Sequence, residues 1–470
     1  MVGIKGTGMT ALAEVLCRRG ANVCGSDVPE RFYTDDILNE LGVSVTEDFS
    51  ADQLPDLLDR VIYSAAYRVE THPQLQRARE RGIPIVSYPE ALGALSAECY
   101  SVGVSGVHGK TTTSAMIGVL VQALGLPGSV IVGSAVAGFS GRSTLAQGER
   151  FLVAETCEYQ RHFLAFHPGA VVLTSVEADH LDYYHDLADV ESAFCDYLKR
   201  LPDGGTVIFC ADDAGASRVV RRVAVDRPDL FLCAYGETAE GRYRLHNLRE
   251  SPGLLEFHVG DLPPRLRVPG RHNALNATAA VAVADLLFNR FSADGPDGAK
   301  AGLVSAALAG FTGTRRRSEI VGEASGVLFM DDYAHHPTAI RTTLAGVRAF
   351  YPNRRLICDF MSHTYSRTAA LLGDFAAAFG DADIVILHRI YASARERFDG
   401  AISGRDLADA MDQWHGDVRY YDEPDESVAP LTELLRPGDL FLTMGAGDNW
   451  RLGRQLLSAR EAAAGHGSVR

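Results

Sequence analysis

Short apolar runs recur along the chain, each followed by a longer stretch with helical spacing of apolar positions. Val61-Ile62-Tyr63, Val102-Gly103-Val104, Phe151-Leu152-Val153, Val171-Val172-Leu173 and Val207-Ile208-Phe209 are such runs. Val327-Leu328-Phe329, Leu356-Ile357-Cys358, Ile384-Val385-Ile386 and Leu440-Phe441-Leu442 continue the series. A run without polar alternation has both faces out of water, as in a parallel strand covered by helices on either side. The predicted class is therefore α/β. At roughly 100–200 residues per domain, the 470 residues suggest about three domains. One boundary is expected near 93–100, just before a new strand, and another near Gly310–Gly313, after an Ala-rich helix. The expected units are 1–97, 98–311 and 312–470. The stretch Ala293–Gly298 is polar and reads as a surface loop.

Composition narrows the class. Hydrophobic residues make up 46 % and charged residues 22 %, enough apolar material for a core in each unit. A net charge of −15 argues against a nucleic-acid partner, which needs a basic stripe. The eight cysteines, at 17, 24, 99, 157, 195, 210, 233 and 358, form no Cys-x-x-Cys pair. They read as reduced thiols of a cytoplasmic protein. No apolar run approaches the ~18 residues of a membrane span, and no signal peptide is expected.

The strongest local signal is Ser105-Gly106-Val107-His108-Gly109-Lys110-Thr111-Thr112-Thr113, between a strand and a helix. Glycines let backbone N–H groups close around phosphate oxygens, and the helix N-terminus adds a favourable dipole. Lys110 can reach the outer phosphates and the Thr111 hydroxyl can ligate Mg²⁺. Val104 stands where the common nucleotide loop has its first glycine, so this is a compact variant. A second glycine turn, Gly3-Ile4-Lys5-Gly6-Thr7-Gly8, separates a stub of strand from a helix expected over Met9–Arg19. Asp27 follows a strand expected over Ala21–Gly25, where a ribose-binding acid would sit. By itself this turn reads equally as a nucleotide site or as a plain tight turn.

The two turns, in this order and about 100 residues apart, resemble the Mur ligases of peptidoglycan synthesis, and the resemblance runs through the chain. Further matching segments are Glu177-Ala178-Asp179-His180-Leu181-Asp182, Gly270-Arg271-His272-Asn273-Ala274-Leu275-Asn276 and Gly313-Thr314-Arg315-Arg316-Arg317. Asp332-Tyr333-Ala334-His335-His336-Pro337, His363-Thr364-Tyr365-Ser366-Arg367 and Gly445-Ala446-Gly447-Asp448 complete the set. These last are most similar to members that place L-alanine on UDP-N-acetylmuramate.

The resemblance implies a Rossmann-like first domain, a central P-loop ATPase-like parallel sheet and a Rossmann-like third domain. It implies ATP and Mg²⁺ as cofactors, an acyl phosphate intermediate, and a monomer or homodimer. Catalytic roles fall on Lys110, His180, Arg316 and His335, with Arg317 an alternative to Arg316. The ATP site would comprise Gly106, His108, Gly109, Lys110, Thr111, Thr112, Asn273, Asn276, Arg316 and Asp332. The metal would lie on Thr111, Glu155 and His180. The UDP-sugar would meet Gly3, Lys5, Gly6, Thr7, Gly8 and Asp27, with Lys5 near the diphosphate. The amino acid would meet Tyr333, His335 and His336. Plainer readings stand beside these: Asn273 and Asn276 as helix caps, and His180 as a surface histidine beside Asp179.

Some positions depart from the family. Thr156-Cys157-Glu158-Tyr159-Gln160 replaces an acidic run of the form Ala-Asp-Glu-Ser-Asp, and Lys5 replaces a glycine. Cys195 stands where other family members carry a modified lysine. A paralogue with another amino acid or carboxylate donor fits the same motifs. A P-loop nucleotide switch is the rival from another class, although no Asp-x-x-Gly segment follows the loop at a suitable place.

Overall fold

The computed structural model describes residues 1–180, 183–292, 298–392 and 400–466. All nine predicted apolar runs are strands or parts of strands. Most of the loop expected at 293–298, and Leu181-Asp182 of the His180 segment, lie outside the described residues; Gly298 already opens the helix Gly298–Ala309.

The first sheet is built from short strands. Cys24–Ser26 pairs with Ser44–Thr46, and Val61–Tyr63 pairs with Ile85–Ser87, both in parallel. Val2 joins the two pairs by bridging Ser26 on one side and Tyr63 on the other. The predicted stub is thus one residue of sheet. The following helix runs Thr7–Arg18, two residues ahead of its expected start. The strand expected over Ala21–Gly25 is Cys24–Ser26 instead. Gly20 turns the chain with φ +88, and Ala21-Asn22 lie exposed before pairing begins.

The central sheet has seven strands. Its order is Phe231–Tyr235, Thr206–Cys210, Ala170–Leu173, Tyr100–Ser105, Phe151–Glu155, Ser129–Val136 and Arg142–Ala146. Only the last pair is antiparallel. Helices Lys110–Ala123 and Arg271–Phe291 contribute Ile117, Leu120, Ala277 and Ala280 to one buried layer. Leu187–Leu198 and Ala214–Asp226 contribute Phe194, Tyr197, Val219 and Val223 to the other. Ala11, Leu12 and Val15 of the first helix bury into that same layer, beside Ile131 and Leu152. Full burial of a leucine side chain such as Leu12 is worth about 1.5–3 kcal/mol, so the first sheet is moored to the central one by apolar packing.

The third sheet runs Glu319–Ala324, Val327–Asp332, Asp439–Gly445, Arg355–Met361, Ile384–Leu387 and Val418–Tyr420. All pairs but the first are parallel. In open parallel sheets ligands gather beyond the carboxyl ends of the strands. Here the ends of Tyr100–Ser105 and Ala170–Leu173 face those of Val327–Asp332 and Arg355–Met361 across one cavity.

One residue, Arg315, touches all three units. The Arg315 guanidinium lies 4.9 Å from the ring centre of Tyr33 and 5.6 Å from that of Trp450. Its backbone N–H donates to the Ala135 carbonyl, and its carbonyl accepts from the Ser134 hydroxyl at 2.7 Å.

Candidate active site

The cavity encloses about 820 Å³ between the second and third sheets. Strand Tyr100–Ser105 delivers the phosphate loop to it, and the helix Lys110–Ala123 starts directly behind. Gly109 has φ +80, and a Cβ there would meet the Asn276 Oδ1 at 2.6 Å. Only glycine gives both that backbone and that approach.

Lys110 is the loop's cation, and its ammonium group is engaged. It donates to both oxygens of Glu158, at 2.9 and 3.1 Å, and to the Gly106 carbonyl. Burial lowers the Lys110 pKa, but the attraction of Glu158, helped by Cys157 and Glu155, outweighs burial and leaves it raised. Glu158 is the charge surviving in the departed segment, and its contact with Lys110 went unread because 48 residues separate them.

Thr111 donates to Glu155 Oε2 at 3.1 Å, and Glu155 Oε1 accepts the Gly133 N–H. Burial raises the Glu155 pKa, so this carboxylate gains from a cation brought beside it. A hydroxyl and a carboxylate at hydrogen-bond distance offer hard oxygen donors of the kind Mg²⁺ takes. His180 has φ +54, a strained value for a non-glycine residue. Its Nε2 lies 3.7 Å from Glu158 Oε1, and its buried Nδ1 has no partner among the described residues. Burial lowers its pKa, so the ring is a neutral nitrogen donor near pH 7. Thr111 and Glu155 therefore fit a divalent cation, and His180 offers a nitrogen donor on the same cavity.

Asn273 and Asn276 line the cavity but bond inward. Asn273 donates to the Pro269 carbonyl at 2.7 Å, and Asn276 donates to Asn273 Oδ1 at 3.1 Å. Thr113 donates to Asn276 Oδ1 at 3.2 Å, so this pair ties Arg271–Phe291 to the loop helix.

From the third unit, Asp332 accepts the N–H groups of Ser318 at 2.7 Å and Ala334 at 2.8 Å. Tyr333 lies between Arg316 and Arg317, whose guanidinium carbons stand 4.9 and 5.0 Å from its ring centre. Arg316 turns away from the cavity: it donates to Asp331 at 3.0 Å and to the Gly445 carbonyl at 2.7 Å. Arg317 lines the cavity. The two arginines expected to be alternatives thus divide, one bracing the sheet and the other facing the ligand space. His335 and His336 also diverge. His335 Nδ1 pairs with the Tyr333 carbonyl at 2.8 Å, and burial pushes its pKa well below the usual histidine range. His336 turns toward Glu177 and the phosphate loop.

Sequence reasoning missed an ion pair across the cavity. Arg367 donates to Asp179 at 2.7 Å, the Asp179 side chain being buried and that of Arg367 nearly so. Burial raises the Asp179 pKa, but Arg367, with His180 and His335, outweighs it and holds the carboxyl well below the usual range. A separation of 188 residues hides such a pair, although each segment had been noted by itself.

The first glycine turn lies apart from this cavity. Gly3 has φ +77, with Tyr67 and Ser64 packed against it. Gly8 is covered by Tyr88, Gly6 caps the helix, and the Thr7 hydroxyl accepts from Tyr33 at 3.0 Å. Asp27 accepts the N–H groups of Lys5 at 2.6 Å and Val28 at 2.8 Å, which pins the turn. Lys5 corrects the expectation of a free cation beside a diphosphate. Its side chain is 1 % exposed, and its Nζ bonds Glu47 at 2.8 Å, Asp35 at 3.0 Å and the carbonyls of Val28 and Glu30. Such a saturated ammonium group holds the loop 28–35 against the turn. Lys5→Met is expected to lower the unfolding midpoint in urea, with a loss of up to roughly 3 kcal/mol in unfolding free energy because Glu47 is half exposed. Unchanged urea melts would show that the network contributes nothing.

A phosphate loop facing a second, mostly parallel sheet, with histidines and a cross-cavity ion pair between them, is the site of an enzyme of nucleotide type. Three family profiles match in chain order: "Mur ligase family, catalytic domain" over 1–100, "Mur ligase middle domain" over 104–284, and "Mur ligase, glutamate ligase domain" over 316–447. The chain belongs to the Mur ligase family. It is 50 % identical over 463 residues to the UDP-N-acetylmuramate–L-alanine ligase of Treponema pallidum, covering 97 % of this chain and 95 % of that protein. The enzyme of the same name from Borreliella burgdorferi is 38 % identical over 455 residues, with 96 % of each covered. The crystal structure of the UDP-N-acetylmuramate–alanine ligase of Thermotoga maritima superimposes with a TM-score of 0.78, at 26 % identity and 98 % coverage of both chains.

No helix among the described residues is long and apolar enough to cross a membrane.

Proposed function

We propose that the protein is an ATP-dependent ligase that joins L-alanine to the lactyl carboxylate of UDP-N-acetylmuramate in peptidoglycan precursor synthesis, forming ADP and phosphate. The observation that carries this reading is end-to-end identity of 50 % with a ligase of that name, spread over all three units. The rival paralogue and nucleotide-switch readings have no comparable support.

In this reading the boundaries fall at 97/98 and 311/312. Gly3, Gly6, Thr7 and Gly8 take the UDP portion, because N–H groups at a helix start favour anions. Gly106, His108, Gly109, Lys110, Thr111 and Thr112 hold the ATP phosphates. Lys110 exchanges its Glu158 partner for the phosphoryl group in flight. Transfer of that group to the lactyl carboxylate gives an acyl phosphate. The neutral amine of alanine attacks the acyl carbon, the C–N bond forms, and the phosphate leaves with the C–O bonding pair. Arg317 offers a fork to the phosphate, and His335, neutral through burial, takes a proton from the amine. Thr111, Glu155 and His180 would hold Mg²⁺, which when bound neutralises phosphate charge during transfer. Tyr333 and His335 bound the acceptor. The protein acts in the cytoplasm, as a monomer or homodimer.

Two measurements test this. With UDP-N-acetylmuramate, ATP and Mg²⁺, equal L-alanine, glycine, L-serine, L-glutamate and D-glutamate should give mainly the alanine product by mass spectrometry. Glycine and serine should follow slowly, since a small apolar site discriminates by only about 1–3 kcal/mol per methylene. A dominant glutamate product would refute the acceptor. Glu155→Gln and His180→Ala should shift the Mg²⁺ titration of activity to higher concentration with little change in donor binding. Curves that overlay the parent would remove these residues from the metal.

A further inference from the structure

His108, Glu177 and His336 converge beside the phosphate loop, with ligating atoms all within 4.8 Å of one another. Each comes from a different element. His108 belongs to the loop, Glu177 to the segment after Ala170–Leu173, and His336 caps the helix Pro337–Phe350. The His108 ring contacts Glu177 Oε1, and His336 Nδ1 lies 3.6 Å from that same oxygen. The two imidazole centres are 5.4 Å apart.

Two imidazoles and one carboxylate form a zinc-type donor set that leaves a position open. Imidazole nitrogens favour Zn²⁺, Cu²⁺ and Ni²⁺, whereas Mg²⁺ seeks oxygen. The donors are also held in place. The His108 N–H donates to the Ser175 hydroxyl at 2.9 Å, and the His108 carbonyl accepts from Thr174. Glu177 Oε2 accepts from the Thr338 hydroxyl at 3.2 Å. His336 is 7 % exposed, and its Nε2 is buried without a partner among the described residues.

We propose that His108, Glu177 and His336 bind a transition cation such as Zn²⁺, separately from the Thr111–Glu155 oxygen pair, and that the ion clamps the phosphate loop to the third unit. A bound ion occupies His108 and restrains the loop from adjusting to a nucleotide. It therefore opposes ATP binding, however much Mg²⁺ is present. This inference rests on the juxtaposition of the three side chains and stands whichever amino acid the ligase accepts.

The test uses the full chain without nucleotide or Mg²⁺. Competition between the protein and a chromogenic chelator for Zn²⁺ should reveal one tight equivalent per chain. Loss of a ligand should weaken that equivalent by roughly 10–100-fold or more, the range seen even for outer-shell partners. Both Glu177→Gln, a near-isosteric change, and His336→Ala should do so, with circular dichroism confirming the fold. The eight cysteines are the competing explanation, so Co²⁺ alone provides the second readout. Nitrogen and oxygen ligation gives visible d–d bands without a thiolate charge-transfer band. ATP affinity by calorimetry should fall in the Zn²⁺-loaded parent and be less affected by Zn²⁺ in Glu177→Gln. Absence of a tight equivalent, parent-like Zn²⁺ affinity in either variant, a thiolate band, or unchanged ATP affinity on loading would each overturn the proposal.

Discussion

Replacing Lys110 with alanine is expected to reduce ligase turnover by about 100-fold or more while the fold survives. Lys110 is the cation of the phosphate loop and already faces the cavity. Its charge is held ready by Glu158, so little reorganisation is needed when a phosphoryl group takes the carboxylate's place. The substitution also strands Glu158, which is 2 % exposed in its side chain. Part of the damage should therefore be electrostatic repulsion of ATP rather than loss of a contact. Glu158→Gln in the Lys110→Ala background should restore some ATP affinity but little turnover. Single-turnover kinetics and calorimetry separate the two effects. A folded Lys110→Ala protein with near-normal turnover would end the assignment.

The second large effect is expected at the Asp179–Arg367 pair. Breaking a buried ion pair by removing one partner typically costs about 3–5 kcal/mol, because the other charge is left uncompensated. The pair joins the central unit to the third, so the loss should appear in how the two units meet across the cavity and not in either unit's own core. Arg367→Ala is expected to reduce kcat/KM by about 100-fold or more, with only a small shift in thermal unfolding. Asp179→Asn should behave alike. The double variant should cost far less than the sum of the singles, since both report one interaction. Additive losses would mean the two residues act independently. The pH dependence follows from the depressed Asp179 pKa. The interaction is present above the ordinary carboxylate range and is lost only as pH falls through the lowered value.

Much of this was legible in the chain, for identifiable reasons. Long runs such as Leu440-Phe441-Leu442 announce strands because a parallel sheet demands apolar residues on both faces. Three-residue strands such as Ser44–Thr46 and Val418–Tyr420 are half-buried with mixed polarity, and no period can be read from them. The phosphate loop was legible because its mechanism is local: glycines, a lysine and a threonine within one turn. Lys5 was not, because a lysine in a glycine turn reads alike whether it faces a phosphate or two carboxylates 30 and 42 residues away. The same limit hid Arg367–Asp179 and left Arg316 and Arg317 undivided, since adjacent side chains point apart according to a backbone that sequence does not display. At Arg316 that backbone has φ +59.

Arg315 has a consequence in the currency of linkage. Its guanidinium is shared by Tyr33 of the first unit and Trp450 of the third, and Tyr33 in turn bonds Thr7 of the first glycine turn. Each aromatic contact of this kind is worth about 0.5–2 kcal/mol. A ligand that shifts Thr7 acts on the same group that steadies Trp450, and any preference it expresses is bound by reciprocity: the factor by which a donor on the first unit tightens an acceptor on the third equals the factor returned. Weakening this one stack, as in Trp450→Leu, should shrink both factors together by about the same amount, whichever substrate is added first. Where the first and third units meet at Arg315, and again at the Arg451–Glu30 pair, any coupling between donor and acceptor is an equilibrium property, the same in whichever order the two bind.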